Sequence, residues 1–221
     1  MKKALLRLLP VWIVLWVFIC PVQAQRTTFG IHVDPMVSWF STGRKADNDG
    51  IRLGIRGGLD IDRFFAYRYA FHTGIFIQQS GGRLLFADTI PVRTSLGTDT
   101  LPAGIPLVQG IQQIGIPLGL KFKTDEIGYT TFYFTIGMVP RFRIKAEAKG
   151  EPESLVNADI REEVPWLNLG YQVGGGAEYS LGGNTALIIG LVFHGGITPF
   201  TTRENEQTYD KNIAIRAGIL F

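Results

Sequence analysis

Apolar and polar residues alternate along most of this chain from about residue 29 onward, in several runs of ten or more positions. In the last run, 211–221, polar or small residues occupy most positions of one face, and the other face carries Ile213, Ile215, Ala217, Ile219 and Phe221. A period of two is typical of a β-strand with one apolar and one polar face. The pattern therefore predicts an all-β protein whose final strand ends on the aromatic Phe221.

The same alternation predicts eight strands. We place them at 29–40, 51–61, 67–79, 112–123, 129–144, 165–179, 185–198 and 211–221. Pro35 interrupts the first strand, and because proline has no backbone N–H group it predicts a bulge or a bend. The seventh strand is apolar on both faces, so the pattern leaves its orientation open.

The connections between the predicted strands differ regularly in length. Polar loops follow the first, third, fifth and seventh strands, at 41–50, 80–110, 145–164 and 199–210, whereas the other connections are tight turns, the first of them at 64–66. Outer-membrane barrels show this arrangement because their short turns lie on the periplasmic side and their longer loops lie outside. The sequence therefore predicts an eight-stranded antiparallel transmembrane β-barrel, an up-and-down meander. The alternative is a soluble, exported β-fold.

The first 24 residues have the features of a cleaved export signal. Lys2, Lys3 and Arg7 precede an apolar segment at 8–19, and small or modest residues up to Ala24 suit a cleavage site. The apolar segment is shorter than the ~20 residues that a membrane-spanning helix needs. We expect a signal peptide at 1–24, a barrel domain at 25–221, and localisation in the outer membrane.

Removal of the signal changes the charge balance. The chain has 22 basic and 19 acidic residues, and the signal contains three of the basic ones and no acid, which leaves 19 against 19. A nearly neutral domain gives no indication of a nucleic-acid partner. The single cysteine, Cys20, is lost with the signal, so the mature chain has no thiol chemistry.

Charged residues on the polar face of the predicted strands indicate the content of the lumen. An arginine facing hydrocarbon at the bilayer midplane costs about 2–4 kcal/mol, so these side chains should point inward. The predicted lumen set is Arg52, Arg56, Asp60, Lys121, Lys123, Arg141, Arg143, Glu178 and Arg216. It could attract anions or a partner, but we favour an internal network that fills a barrel too narrow to conduct. Because bases outnumber acids in this set, an anion or acidic loop residues should compensate.

Other candidate chemistry is weaker. His32, His72 and His194 can all point inward, but their spacing is not that of metal ligands, so we predict no metal or cofactor. Ser38 and Ser180 lie near strand ends without an obvious base, which makes a lipid-modifying barrel enzyme the less favoured alternative. Aromatic residues near strand ends predict two interfacial girdles. They are Trp39, Phe40, Phe64, Phe65, Tyr67, Tyr129, Trp166 and Tyr179.

Short motifs add a family resemblance. The segment 114–123 reads IGIPLGLKFK and resembles a strand of the PorT-like outer-membrane β-barrel family, common in Bacteroidetes-type Gram-negative bacteria. GGGAEY at 174–179, FHGGI at 193–197 and the final GILF are similar to later strands of that family. The resemblance implies an eight-stranded outer-membrane barrel. The founding member is associated with type IX secretion, and the family supplies no set of functional residues.

The expected function is therefore non-enzymatic. We expect a barrel with a packed polar lumen, surrounded by outer-membrane lipid, that has a structural role or binds envelope or secretion proteins through 80–110 and 145–164. The alternative is an accessory role in protein secretion or small-solute transport, and these residues identify neither a partner nor a solute.

Overall fold

The computed structural model describes residues 26–43, 46–95, 97–150, 158–201 and 208–221. The predicted signal peptide, 1–24, lies outside these residues. None of the described residues forms a helix long and apolar enough to cross a membrane.

The described residues form antiparallel β-strands of very unequal length. In chain order these are β1 (Thr27–Ser41), β2 (Ala46–Gly50), β3 (Arg52–Ala66), β4 (Tyr69–Phe86), β5 (Ile90–Thr94), β6 (Gly97–Leu101), β7 (Pro106–Gly115), β8 (Leu118–Lys123), β9 (Thr130–Lys149), β10 (Ala158–Asp159), β11 (Leu167–Gly182), β12 (Thr185–Gly196) and β13 (Tyr209–Leu220).

Eight strand positions close into a ring. The order is β1, β3, β4, β7 with β8, β9, β11, β12 and β13, and β13 pairs with β1. β7 and β8 share one position because each pairs with β4 on one side and β9 on the other. The predicted fourth strand, 112–123, is thus broken at Ile116–Pro117 and begins earlier, at Pro106. The prediction of eight antiparallel strands in up-and-down order is confirmed.

The pairing register determines how wide the ring is. A path through successive paired residues leaves β1 at Phe29, passes Ile61, Thr73 and Leu118 on the next strands, and returns to β1 at Trp39, ten residues further along. With about 3.3 Å per residue and 4.8 Å between strands, this offset tilts the strands by about 40°. Eight strands at such a tilt leave an interior only wide enough for side chains.

The alternation of faces follows the prediction. On β1 the outward Ile31 and Val33 are half exposed, whereas the inward His32 and Asp34 are buried. The orientation of the seventh predicted strand is now defined, because Ile188 and Val192 of β12 point inward while Ile189 and Leu191 point outward. A ring of exposed isoleucine, leucine and phenylalanine on this scale requires a bilayer around it. We call these outward residues the lipid belt.

Aromatic contacts lie at both ends of the lipid belt. The rings of Phe29 and Phe221 are 6.4 Å apart at the end that carries the tight turns, and those of Phe142 and Trp166 are 6.0 Å apart at the opposite end. Two residues of the predicted girdles are placed differently. Phe40 and Phe64 are buried because their parity turns them inward. The girdle prediction is wrong for these two residues.

Strands on the long-loop side extend well past their predicted ends. β4 continues to Phe86 and β9 continues to Lys149, and along these extensions the polarity of the two faces is exchanged. Leu84 and Phe86 point inward and are buried, whereas Arg83 points outward and is exposed. Outside the membrane the outer face meets water, so the ordinary rule of an apolar interior returns.

These extensions build a separate apolar layer, which we call the outer cap. It consists of β2, the hairpin β5–β6, β10 and the adjoining ends of β4, β7 and β9. Its buried core contains Phe40, Leu84, Phe86, Val92, Leu101, Leu107, Ile111, Ala146, Ala148, Ile160, Val164 and Phe200. The predicted polar loops at 41–50, 80–110 and 145–164 are therefore partly strand, and the apolar residues within them support the cap.

Local irregularities differ from the prediction as well. The register between β1 and β13 is the same on both sides of Pro35, with Val33 opposite Ala217 and Met36 opposite Ala214, so the proline produces no bulge. The residues predicted as a tight turn, 64–66, belong to β3, and the register shift lies there. The turn itself follows at residues 67–68.

The lipid belt predicts a depth-dependent cost of charge. Ile189, outward on β12 and 63% exposed, should cost about 2–4 kcal/mol on substitution by arginine, because the guanidinium would face hydrocarbon. The control is Ile127→Arg, at a residue that is 68% exposed in the turn between β8 and β9 and should cost about 1 kcal/mol or less. Urea unfolding in lipid vesicles measures both. Equal costs would contradict the assignment of β12 to the membrane.

Candidate functional site

The interior of the ring contains an unusual density of charged side chains. Five bases and five acids point inward from the strands; all are buried except Lys123, whose side chain is 16% exposed. We call them the lumen cluster, and they are Arg56, Lys121, Lys123, Arg141 and Arg216 with Asp34, Asp60, Asp62, Glu178 and Asp210. With neutral histidines the cluster has no net charge.

The period of two explains how neighbouring charges come together. Asp60 and Asp62 are two residues apart on β3 and so share a face, and the same holds for Lys121 and Lys123 on β8. Because the opposite face of each strand meets lipid, the polar residues of these strands have only the lumen available. The ring then brings strands that are distant in sequence within ion-pair distance.

One group of ion pairs lies toward the end with the tight turns. Lys121 Nζ lies 2.6 Å from an oxygen of Asp62 and 2.7 Å from an oxygen of Glu178. Lys123 donates to the other oxygen of Glu178 and lies over the ring of Phe64. Lys121 also lies 5.0 Å from the ring centre of Tyr133. A buried lysine is tolerable here because two carboxylates compensate its charge.

A second group lies at mid-height. Arg216 spans two acids, with 3.2 Å from Nη1 to Asp60 Oδ2 and 3.6 Å from Nε to Asp34 Oδ2. Arg56 donates to Asn212 Oδ1 at 2.9 Å and also contacts His194 Nε2. The Arg56 guanidinium also lies 4.9 Å from the centre of a phenylalanine ring on β4. Both guanidiniums are thus held by partners on several strands.

The lumen nearest the cap is polar but less charged. Arg141 pairs with Asp210, and Gln78 donates a hydrogen bond to Gln113 at 3.1 Å. Asn168 accepts a hydrogen bond from the hydroxyl of Thr198 at 3.3 Å. The apolar core of the cap follows directly above these residues.

Seven of the nine predicted lumen charges lie in the lumen cluster. Arg52 does not: it is half-buried, lies against Gly81 and Gly110, and donates to the backbone carbonyl oxygen of Gln109 at 2.9 Å. Arg143 does not either, because its guanidinium donates to the backbone carbonyl oxygen of Arg161 in the cap. Both arginines lie where their strands leave the membrane and the polarity of the faces changes.

Three acids of the lumen cluster, Asp34, Asp62 and Asp210, are not in the predicted lumen set. Asp34 falls on the polar face of the first predicted strand, Asp62 lies one residue past the end of the second, and Asp210 lies one residue before the start of the last. Extending each alternation by one residue would have found the last two. The predicted excess of bases is therefore corrected: strand acids balance the bases, and no external anion is needed for neutrality.

A cavity of about 440 Å³ lies in the cap beside Arg143. Ser95, Asp159, Arg161 and Glu162 also line it, so it presents two bases and two acids. Hydrogen bonds from the Arg161 side chain hold the pKa of Asp159 below its usual value. Because the charges of this cavity are mutually compensated, it has no strong preference for an ion of either sign.

Ser38, one of the two serines considered as a catalytic group, is held by backbone contacts. The hydroxyl of Ser38 donates to the carbonyl oxygen of Gly81 at 2.7 Å and accepts from the backbone N–H of the same residue at 3.0 Å, so it acts as a link between β1 and β4. Within the described parts of the chain, no group of three His, Cys, Asp or Glu side chains has the geometry to hold a metal ion.

The shared partner of the two lysines allows a matched test. Lys121→Met leaves Asp62 without its lysine and Glu178 with Lys123 alone, and we expect a loss of about 3–5 kcal/mol in the free energy of unfolding because a buried carboxylate becomes uncompensated.

Lys123→Met serves as the control, since Glu178 keeps Lys121 and the removed lysine is partly exposed. Its loss should be about 1 kcal/mol or less. Urea unfolding of both variants in vesicles makes the comparison, and a larger loss for Lys123→Met would contradict the described pairing.

Comparisons with known proteins identify one matching family and several similar solved structures. No curated protein matches the chain in sequence. Among solved structures it is similar to neisserial surface protein A, at 12% identity over 87% of this chain and 95% of that one with a TM-score of 0.48. It is also similar to OprG from Pseudomonas aeruginosa, at 11% identity, 89% and 95% coverage and a TM-score of 0.42, and to Ail from Yersinia pestis, at 12% identity, 89% and 99% coverage and a TM-score of 0.40. The sequence profile of the outer membrane protein beta-barrel domain matches residues 24–201, and the chain belongs to this family of outer-membrane proteins.

Proposed function

We propose that this protein is a non-enzymatic outer-membrane barrel that binds an envelope partner through its outer cap. In this proposal the lumen cluster is an internal support and not a channel. The observation that carries the proposal is the neutral, buried ion-pair network that spans the lumen beneath an apolar cap core.

The packing of the lumen supports a closed barrel. Arg56 and Arg141, among the largest side chains inside, are fully buried, so each is surrounded by other side chains. The Phe64 ring and Lys123 lie against each other near the turn end, and Phe40 and Phe86 belong to the core at the cap end. A continuous water path would have to pass all of these groups.

The outer cap suits a binding role because it is both polar and fixed in place. Its exposed side chains include charged and hydroxyl groups, such as Asp47, Arg93 and Thr98, while its apolar side chains are directed into its own core. β4, β7 and β9 run without interruption from the membrane into the cap, so the barrel positions this surface rigidly. A partner would therefore meet a preformed surface, which reduces the ordering cost of binding.

The narrower resemblance to PorT-like barrels supports a second candidate, an accessory role in secretion. That role would use the same cap surface as the first candidate function, and only the identity of the bound partner would differ. Small-solute transport and lipid modification are less favoured, because the lumen is packed and the Ser38 hydroxyl is engaged with backbone groups.

Conductance in planar bilayers tests the closed lumen. We expect the purified barrel to insert without discrete current steps, while a porin inserted under the same conditions conducts. Removal of residues 88–103, which include the hairpin β5–β6, should leave the current at baseline because the lumen cluster remains in place. Stable current steps in the intact protein would overturn the proposal. Current steps seen only after the deletion would show that the cap, and not the lumen cluster, blocks conduction.

Photocrosslinking in living cells tests the binding surface. A photoreactive residue at Thr98, exposed on β6, should give a discrete protein adduct, and the adduct should disappear when an excess of the same protein without the photoreactive residue competes. A photoreactive residue at Ile215, in the lipid belt, is the control and should label lipid. Adducts at Ile215 with none at the cap would move the interaction surface to the barrel wall.

A further inference from the structure

A polar patch lies on the outer face of the barrel, at the level where β4, β7 and β9 leave the lipid belt toward the cap. The pairing register places Gln79 opposite Gln112, and Gln112 opposite Lys145, so one polar row crosses three strands. The neighbouring row on the membrane side is apolar, and it consists of Ile77, Ile114 and Phe142. The outer face thus changes from apolar to polar between two neighbouring rows, at the level where a barrel wall meets lipid headgroups.

The side chain of Arg52 extends from β3 onto this patch. It can do so because Gly81 of β4 and Gly110 of β7, which lie opposite each other, leave the wall without side chains. A Cβ at Gly81 would lie 3.1 Å from Arg52 Cδ, and one at Gly110 would lie 2.9 Å from Arg52 Nη2. The guanidinium donates to the backbone carbonyl oxygen of Gln109 at 2.9 Å. Because Gly110 and Gln112 share a face of β7, the guanidinium lies beside the polar row.

Among the described residues, Arg52 has no acid partner, whereas each of the five bases of the lumen cluster forms an ion pair with a carboxylate. The acid opposite Gly110 is Glu147, which pairs instead with Lys145, at 2.7 Å from Oε1 to Nζ. A half-buried guanidinium without a counter-charge is costly. This position therefore favours an anion supplied from outside the chain.

The two glutamines of the polar row add neutral hydrogen-bond donors. Gln79 is exposed and Gln112 is half-buried, and in the part of the chain that the structure describes neither side-chain amide has a hydrogen-bond partner. Directly opposite residues of an antiparallel pair have Cβ atoms about 5 Å apart, so both amides can reach one group beside the guanidinium. A phosphate has several acceptor oxygens and binds arginine through two parallel hydrogen bonds, which suits this set of donors.

We propose that Arg52, Gln79 and Gln112 bind the phosphate group of a membrane lipid in the leaflet on the cap side. The guanidinium supplies the counter-charge, and the two amides orient the phosphate oxygens. The acyl chains of the same lipid lie along the lipid belt, against Ile77 and Ile114, so one molecule covers both rows. This site does not depend on a protein partner of the cap, and it gives the arginine that is missing from the lumen cluster a role on the outer wall.

Native mass spectrometry of the purified barrel with dioleoylphosphatidic acid tests the site, and dioleoylglycerol, which has the same chains and no phosphate, is the reference lipid. We expect one molecule of phosphatidic acid to bind more tightly than any molecule of the reference lipid. Arg52→Gln should weaken phosphatidic acid binding about tenfold, because charge-assisted hydrogen bonds are lost, and should leave binding of the reference lipid unchanged. Equal binding of the two lipids by the unsubstituted protein would overturn the proposal.

Arg83→Gln is the matched control, because Arg83 lies on the same face of β4 but pairs with Asp49 at 3.1 Å. Its effect should stay within about twofold, and a loss equal to that of Arg52→Gln would indicate a general effect of charge and overturn the proposal. Displacement of phosphatidic acid by inorganic phosphate at equal concentration would assign the site to a soluble anion and overturn it too. In bilayers, ³¹P–¹⁵N dipolar coupling between lipid and the Arg52 guanidinium is expected in the unsubstituted barrel, and its absence would overturn the proposal whatever the stability of the variants.

Discussion

Each strand in hydrocarbon needs a hydrogen-bonding neighbour on both edges, and the rest of this structure depends on that requirement. It forces β13 to pair with β1 and closes the ring at eight positions. The register then fixes a tilt of about 40° and a narrow interior. Once the interior is narrow and the exterior is lipid, every charge on the strands must find its counter-charge inside. The lumen cluster is the consequence of ring closure.

Charge balance inside the ring depends on which side chains are paired as well as on equal numbers of acids and bases. Lys121 contacts two acids, and Arg216 contacts two others, so removal of one base leaves more than one carboxylate affected. Buried ion pairs contribute little net stability compared with apolar packing, but leaving one partner alone is costly. Such a network therefore specifies which strands are neighbours more than it strengthens their association.

Much of the fold could be predicted from the sequence because one physical rule, lipid outside and polar groups inside, acts on every strand in the membrane. The number of ring positions, their direction and seven of the nine lumen charges followed from it. The same rule failed where strands leave the bilayer. Leu84 and Phe86 are inward and apolar, so side chains still alternate along β4, but the apolar ones now point inward and the polar ones outward. β2 reads Ala-Asp-Asn-Asp-Gly, has no strand propensity, and forms only because β4 is available as a partner.

The exchange of polarity on β4 occurs over a few residues and explains how two different interiors coexist. Gln78 points into the polar lumen, Leu84 points into the cap core, and two glycines lie between them. A Cβ at Gly82 would lie 2.6 Å from the ring of Phe40, and one at Gly81 would lie 2.0 Å from the carbonyl oxygen of Gln109. Because neither glycine has a side chain, these groups approach the β4 backbone closely, and the cap core packs directly against the lumen. The two layers thus share strands while one is held by apolar burial and the other by ion pairs, so the cap surface can change without disturbing the barrel that carries it.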